Sequence, residues 1–225
     1  IAVATMPLLR AKELGQIIAK GEVSHALCDQ ALRGELDVAM QAQPRLAELR
    51  CFGDSSAQGL ETLMTQAAPT FQNVDTAADD CCLFGFTSGT TGQPKATMHF
   101  HRDLMAACVC FPPHVLRATA DDIFIGSPPL AFTFGLGGLT LFPMSIGAST
   151  VLVEKASPDV LVEAIVAYRA SVVFTAPTAY RAMADAARER KISAAHGGSL
   201  RKCVSAGEAL PVATRSLWRE ATGIE

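Results

Sequence analysis

The stretch Thr87-Ser88-Gly89-Thr90-Thr91-Gly92-Gln93-Pro94-Lys95 gathers hydroxyls around two glycines and sets one lysine behind a proline. That order suits a loop that wraps a polyphosphate. Glycine admits left-handed backbone angles, so successive N–H groups can turn into one concavity and cradle an anion. The hydroxyls of Thr87, Ser88, Thr90 and Thr91 add short donors, and Lys95 adds a mobile positive charge. An ordinary solvent loop shares this composition but not this order. A Walker loop requires a Gly-Lys-Ser/Thr ending, whereas Gly92 is followed here by Gln93-Pro94. Gly135-Leu136-Gly137-Gly138-Leu139-Thr140 begins like a dinucleotide fingerprint but ends in threonine where glycine is required.

Position by position, Thr87–Lys95 resembles the signature of the adenylate-forming superfamily, which comprises acyl-CoA synthetases, luciferases and peptide-synthetase adenylation domains. The resemblance implies that Thr87, Ser88, Gly89, Thr90, Thr91, Gly92 and Lys95 hold ATP, with Thr91 and Lys95 catalytic. Ser205-Ala206-Gly207-Glu208-Ala209-Leu210-Pro211 resembles the superfamily's Gly-Glu-x-Leu segment. By that likeness Gly207, Glu208 and Ala209 border the adenine and Ala206 borders the acyl group. Glu208 can also be read as a carboxylate favoured by the dipole of the helix behind it.

Pro128–Gly135 falls where the family carries its substrate-binding aromatic motif, and it lacks the histidine found there in many members. Phe132, Thr133, Phe134 and Gly135 resemble the benzoate- and aminobenzoate-type ligases, in which a flat acid could stack on a phenylalanine ring. Either ring could instead fill the core. Tyr180, in Thr175–Tyr180, resembles a residue beside the same pocket and reads equally as a core tyrosine with its hydroxyl at the surface. Histidines 25, 99, 101, 114 and 196 form no nucleophile or metal pattern, and no metal ligands are expected within the chain.

The elements that must position these segments alternate between strand and helix. Strands are expected at 1–6, 23–28, 46–52, 81–86, 122–126, 150–153, 171–175 and 201–204, and residues 96–99 are expected to lead the chain away from the glycine-rich loop. Helices are expected at 10–20, 31–41, 60–67, 102–110, 136–146, 157–170, 177–191 and 211–222. Ser157-Pro158-Asp159 is a well-formed helix start, with a cap residue and a proline in the first turn. The alternation predicts an α/β fold: two adjacent α/β halves, 1–100 and 101–225, with mainly parallel sheets covered by helices. Segments 87–95, 127–135 and 205–210 each leave the carboxyl end of a strand, where open parallel sheets collect their ligands.

Hydrophobic content of 49% and charged content of 18% describe a globular protein with a sizeable core. A formal net charge of −3 gives no reason to expect nucleic acid as a partner. The uncharged run 123–153 is interrupted by Pro128, Pro129, Pro143 and five glycines, which argues against a membrane span. The seven cysteines are odd in number and lack the spacing of a disulfide or zinc framework, so they read as buried thiols of a cytoplasmic protein. The chain begins inside an expected strand and stops just past an expected helix, which reads as a piece of the N-terminal domain of a larger protein.

What the resemblance implies is ATP-dependent activation of a carboxylic acid. The carboxylate attacks the α-phosphate, pyrophosphate leaves with Mg²⁺ bridging, and the thiol of coenzyme A displaces AMP. The acid implied is aromatic, of benzoate or aminobenzoate type. Two other functions fit the sequence: adenylation without CoA transfer, and a non-catalytic nucleotide- or acyl-binding module. The family's later Tyr-Gly-x-Thr-Glu segment, ribose-binding aspartate and C-terminal catalytic domain would lie outside the chain, and Thr222-Gly223-Ile224-Glu225 lacks the frame of the first. The expected partners are therefore small molecules: acid, ATP and CoA.

Overall fold

The structure is a computed structural model that describes residues 1–87 and 94–224. It divides into two compact units, Ile1–His101 and Arg102–Glu225. Both are built of helices and mainly parallel strands.

In the first unit, β1 (Ala2–Val3), β4 (Cys81–Thr87) and β5 (Lys95–Phe100) form a three-stranded sheet in the order β1-β4-β5. The expected strand 1–6 pairs only at Ala2 and Val3. Residues 96–99 lead away from the loop as expected, and they do so as part of a strand that folds back antiparallel on β4, with Thr87 opposite Lys95 and Gly85 opposite Thr97. A separate parallel pair, β2 (His25–Asp29) and β3 (Glu48–Phe52), sits with α1 (Ala11–Gly21) and α2 (Arg33–Ala42). Helix α1 buries Leu14, Ile17 and Ile18, an i, i+3, i+4 stripe, and Leu14 and Ile18 pack with Ala39 and Leu46. Between β2 and α2 the chain first makes a tight 3₁₀ turn, Gln30–Leu32, because Asp29 accepts from the Ala31 N–H at 2.8 Å. A short helix α3 (Leu60–Gln66) follows β3.

The second unit is organised around a four-stranded, wholly parallel sheet, β7-β6-β8-β9, made of β6 (Ile123–Gly126), β7 (Ser149–Val151), β8 (Val172–Thr175) and β9 (Lys202–Ser205). Every residue of β8 is buried, as expected of a central parallel strand covered on both faces. One face carries α7 (Pro158–Tyr168), α8 (Pro177–Glu189) and α9 (Val212–Thr222), whose Leu161, Ile165, Met183, Ala187 and Trp218 belong to one buried cluster with Ile125 and Val173. Helix α8 supplies Tyr180, Met183, Ala184 and Ala187 at i, i+3, i+4, i+7. The Ser157 side chain caps α7 by accepting from the Val160 N–H at 3.4 Å. A second cluster is aromatic: the ring of Phe174 lies within 6.5 Å of those of Phe111, Phe124, Phe134 and Phe142.

Helix α4 (His101–Cys110) runs on into a wider π-helical stretch, Phe111–Leu116. The expected helix 136–146 is likewise broken into α5 (Thr133–Leu136), a π-helical stretch Gly137–Leu141 and α6 (Phe142–Ile146). No described helix is long and apolar enough to cross a membrane.

At the amino end of the second sheet, Asp122 is fully buried and accepts from four groups. Ser171 Oγ and Arg201 Nη2 each lie 2.6 Å from Oδ1, while the Thr119 N–H and Lys202 Nζ lie 2.9 and 3.0 Å from Oδ2. Burial alone would raise this carboxyl, but the bonds from Ser171, Thr119 and Lys202 outweigh it and hold the pKa at about 2. The cluster ties together the starts of β6, β8 and β9, at the end of the sheet opposite the segments singled out as functional.

Candidate functional site

Of the phosphate-loop residues, Ser88, Gly89, Thr90, Thr91 and Gly92 lie outside the described residues. What is visible is the hairpin that holds them. Thr87 ends β4 and Lys95 begins β5, paired across the two strands, so both ends of the loop are fixed at one point. Lys95 is exposed there. The two-residue period of β5 puts Thr97 and His99 on the same side as Lys95. Thr97 Oγ1 donates to the Gly85 carbonyl at 3.2 Å and lies 2.9 Å from His99 Nε2. A Cβ on Gly85 would come within 3.0 Å of Thr97 Oγ1 and 3.3 Å of His99 Nε2, so the glycine makes room for that pair.

In the second unit, the carboxyl ends of three neighbouring strands carry hydroxyls. Ser127 follows β6, Thr175 ends β8 and Ser205 ends β9. Ser127 Oγ is 2.5 Å from Thr175 Oγ1, the Ser127 N–H donates to the Phe174 carbonyl at 3.1 Å, and Thr175 stands opposite Ser205 in the β8–β9 ladder. Ser205 Oγ is buried with no hydrogen-bond partner among the described residues. Sequence reasoning covered these three within the segments 127–135, Thr175–Tyr180 and 205–210 but gave none of them a role. The signal was there, because each is the first polar residue after an apolar strand run.

The aromatic segment leaves this same edge. After Ser127, Pro128 and Pro129 turn the chain; the Phe132 N–H donates to the Pro129 carbonyl at 3.1 Å and α5 begins at Thr133. Gly135 is required by packing, since a Cβ would sit 2.1 Å from the Pro129 oxygen and 2.6 Å from that of Pro128. The two phenylalanines part company. Phe134 turns inward, its ring centroid 5.6 Å from that of Phe174, whereas Phe132 is 46% exposed and Thr133 is also exposed.

The segment after β9 is open. Ala206 is half-buried, while Gly207, Glu208 and Ala209 are exposed. Gly207 has φ +93°, in the left-handed region, and a Cβ there would meet nothing within 4 Å. Backbone conformation, rather than crowding, calls for glycine at this point. Tyr180 is 3% exposed, and its hydroxyl points inward, 2.9 Å from the Val204 carbonyl and 3.2 Å from that of Val173. Its ring meets Trp218 edge-on at 4.9 Å, and burial pushes its pKa well above the ordinary tyrosine value. The hydroxyl is not at the surface: Tyr180 lies on the buried face of α8 and braces β8 and β9 through the Val173 and Val204 carbonyls.

Among the described residues, no group of three or more His, Cys, Asp or Glu side chains comes together as metal ligands. What the second unit offers at this edge is a set of hydroxyls, an outward-facing aromatic ring and a glycine-centred stretch of backbone. The exposed ring and the exposed backbone are surfaces on which a flat group can stack.

The family model for AMP-binding enzymes matches residues 1–225. The chain belongs to the AMP-binding enzyme family. Among relatives of this AMP-binding chain, the benzoate–CoA ligase of Thauera aromatica is 27% identical over 229 residues, covering 100% of the chain and 42% of that protein. The anthranilate–CoA ligase of Pseudomonas aeruginosa is 35% identical over 156 residues, covering 69% of the chain and 28% of that protein. Among solved structures, the anthranilate CoA ligase AuaEII in complex with anthranoyl-AMP superposes with a TM-score of 0.89 at 29% identity, over 100% of the chain and 44% of that structure. The benzoate CoA ligase of Burkholderia xenovorans LB400 gives a TM-score of 0.84 at 25% identity, over 99% of the chain and 44% of that structure. The AMP-binding chain thus spans less than half the length of these relatives, and its fold is that of the N-terminal domain of adenylate-forming enzymes.

Proposed function

We propose that the chain supplies the ATP- and acid-binding part of an AMP-forming aryl acid–CoA ligase acting on a benzoate- or aminobenzoate-like acid. One observation carries this: the aromatic segment at 128–135 and the glycine-centred segment at 205–210 leave the same carboxyl edge of one parallel sheet, on strands that flank β8. An open parallel sheet binds its ligand at that edge. The relatives named above give the substrate class.

In this reading the acid lies against the exposed face of Phe132, with Ala206 setting the depth available to it, and the backbone at Gly207–Ala209 lies along the adenine. The hydroxyls of Ser127, Thr175 and Ser205 lie beneath them at the strand ends, with Thr175 and the Ser205 Oγ buried. Activation brings an acid anion up to a polyphosphate, so cancelling charge is the chief catalytic demand. Lys95 and the hydroxyls of the loop it closes meet that demand at the β- and γ-phosphates. Magnesium arrives with ATP as part of the substrate, held mainly by phosphate oxygens. The acyl-adenylate that results is then open to attack by the thiol of coenzyme A.

Acid-dependent ATP–pyrophosphate exchange tests the first step, run on this chain and on a longer protein containing it, with benzoate, aminobenzoates and aliphatic acids. Exchange restricted to aryl acids supports the proposal. Exchange with aliphatic acids alone, or none with any acid from the longer protein, removes it. Release of CoA thioester in the same reactions separates CoA ligation from adenylation alone.

A further inference from the structure

Cys28 and Cys51 are 23 residues apart in the chain yet stand directly opposite each other on β2 and β3, with their Sγ atoms 3.6 Å apart. Cys28 is 9% exposed and Cys51 3%. Neither belongs to the proposed ligand-binding edge, since the β2–β3 pair is a sheet of its own, separate from β7-β6-β8-β9 and from β1-β4-β5. We propose that Cys28 and Cys51 form a vicinal-dithiol modification site, which a small disulfide such as oxidised glutathione closes reversibly into a Cys28–Cys51 bond.

Three observations support the site. The register fixes the pair: neighbouring strands lie about 4.7–4.9 Å apart, within the span of Cα separations that a disulfide bridges. The pair has a way in, because a cleft of about 390 Å³ reaches Cys28 between Leu27, Asp29, Leu32 and Phe52. The thiols already share a hydrogen bond, and burial together with that bond pushes the Cys28 thiol up to about 12, so it stays protonated at rest. A single buried thiol of that kind is sluggish. A second sulfur in contact changes the outcome, because any mixed disulfide formed at Cys28 meets its resolving thiol at once.

The chemistry balances as thiol–disulfide exchange. Cys28 loses its proton to solvent and attacks one sulfur of oxidised glutathione; the reagent's S–S bond breaks and one glutathione thiolate leaves with the electron pair. Cys51 then loses its proton and attacks Cys28 Sγ, expelling the second glutathione thiolate. Two protein thiols are oxidised, and one low-molecular-weight disulfide is reduced to two thiols. In a reducing compartment such a bond is transient, and it forms when the glutathione pool is oxidised.

The whole chain, incubated with oxidised glutathione, is digested without reductant and its peptides are mapped by mass. The expected product is a pair of peptides joined through Cys28 and Cys51, two hydrogens lighter than their sum, which dithiothreitol separates. Prior treatment with phenylarsine oxide, which grips adjacent thiols, abolishes it, as does either C28S or C51S. The proposal is overturned if Cys28 and Cys51 are recovered as free thiols, as separate glutathione adducts, or joined to other cysteines. Because the decisive product is sought in the unsubstituted chain, a variant that fails to fold leaves the test intact.

Discussion

The two units solve opposite problems. In Arg102–Glu225 the strands are sealed: Phe124, Ile125, Val172 and Val173 are fully buried, and helices lock over one face through a continuous core. In Ile1–His101 the strands are short or half-exposed, the sheets are separate, and a cleft of about 870 Å³ opens between β1, α1 and β2. Where the proposed acid and base contacts lie, the strands are buried and the loops leave a parallel sheet. Where the proposed phosphate loop is carried, the support is one antiparallel hairpin closed by the Thr87–Lys95 pair.

The widest gap between the units should appear in core truncations. Phe174→Ala removes a ring shared by four other phenylalanines and leaves a cavity in a sealed interior, at an expected cost of about 3–5 kcal/mol. Ile18→Ala is equally buried, but its side chain already lines the cleft in the first unit, so its cost should fall near the low end of about 2–5 kcal/mol. Denaturant unfolding of both variants measures the difference. Equal costs would mean that the first unit is packed as tightly as the second.

This contrast also explains what could be read from the sequence. The second unit was legible because its signals are local: apolar runs for strands and Ser157-Pro158-Asp159 for a helix start. Its missed features are tertiary. Asp122 looked like an ordinary strand residue, and only the fold brings Ser171, Arg201 and Lys202 to it. Tyr180 offered two readings, and the depth of α8 against β8 and β9 decides the direction of its hydroxyl. In the first unit, residues 96–99 were legible as leading away from residues 87–95, but their antiparallel pairing with β4 was not, since it depends on the partner strand rather than on those residues themselves. The Cys28–Cys51 contact was hidden for the same reason. Linear spacing shows no pattern, whereas strand register makes them neighbours.

Chemistry should divide between the units as packing does. Lys95→Ala removes a charge from an exposed position on the hairpin, so folding should hardly change while acid-dependent pyrophosphate exchange falls on the order of a hundredfold. Exchange near the unsubstituted rate would take Lys95 out of the proposed mechanism. Asp122 in the second unit should behave in the opposite way, affecting stability and leaving chemistry alone. Its folded pKa of about 2 lies below the ordinary 3.8, so its contribution is present above pH 4 and is lost as pH falls from about 4 through 2. That shift corresponds to about 2 kcal/mol at neutral pH. Asp122→Asn should remove that much stability and flatten the acid limb of the unfolding profile over the same range. An unchanged acid limb would assign the pH dependence to other carboxylates.

The smallest expected effect is the sharpest test of the glycine-centred segment. At φ +93° an alanine in place of Gly207 is strained by about 1 kcal/mol, and its methyl group would touch nothing in the protein. Gly207→Ala should therefore cost about 1 kcal/mol in unfolding and no more. If that face of the backbone lies along a nucleotide base, the same methyl group collides with the base, and the loss in ATP–pyrophosphate exchange must exceed the loss in stability. A loss in exchange no larger than about 1 kcal/mol would confine Gly207 to a conformational role and move the adenine contact elsewhere along the edge. Stability and turnover measured on the one variant thus separate a glycine kept for its backbone angle from a glycine kept for its ligand.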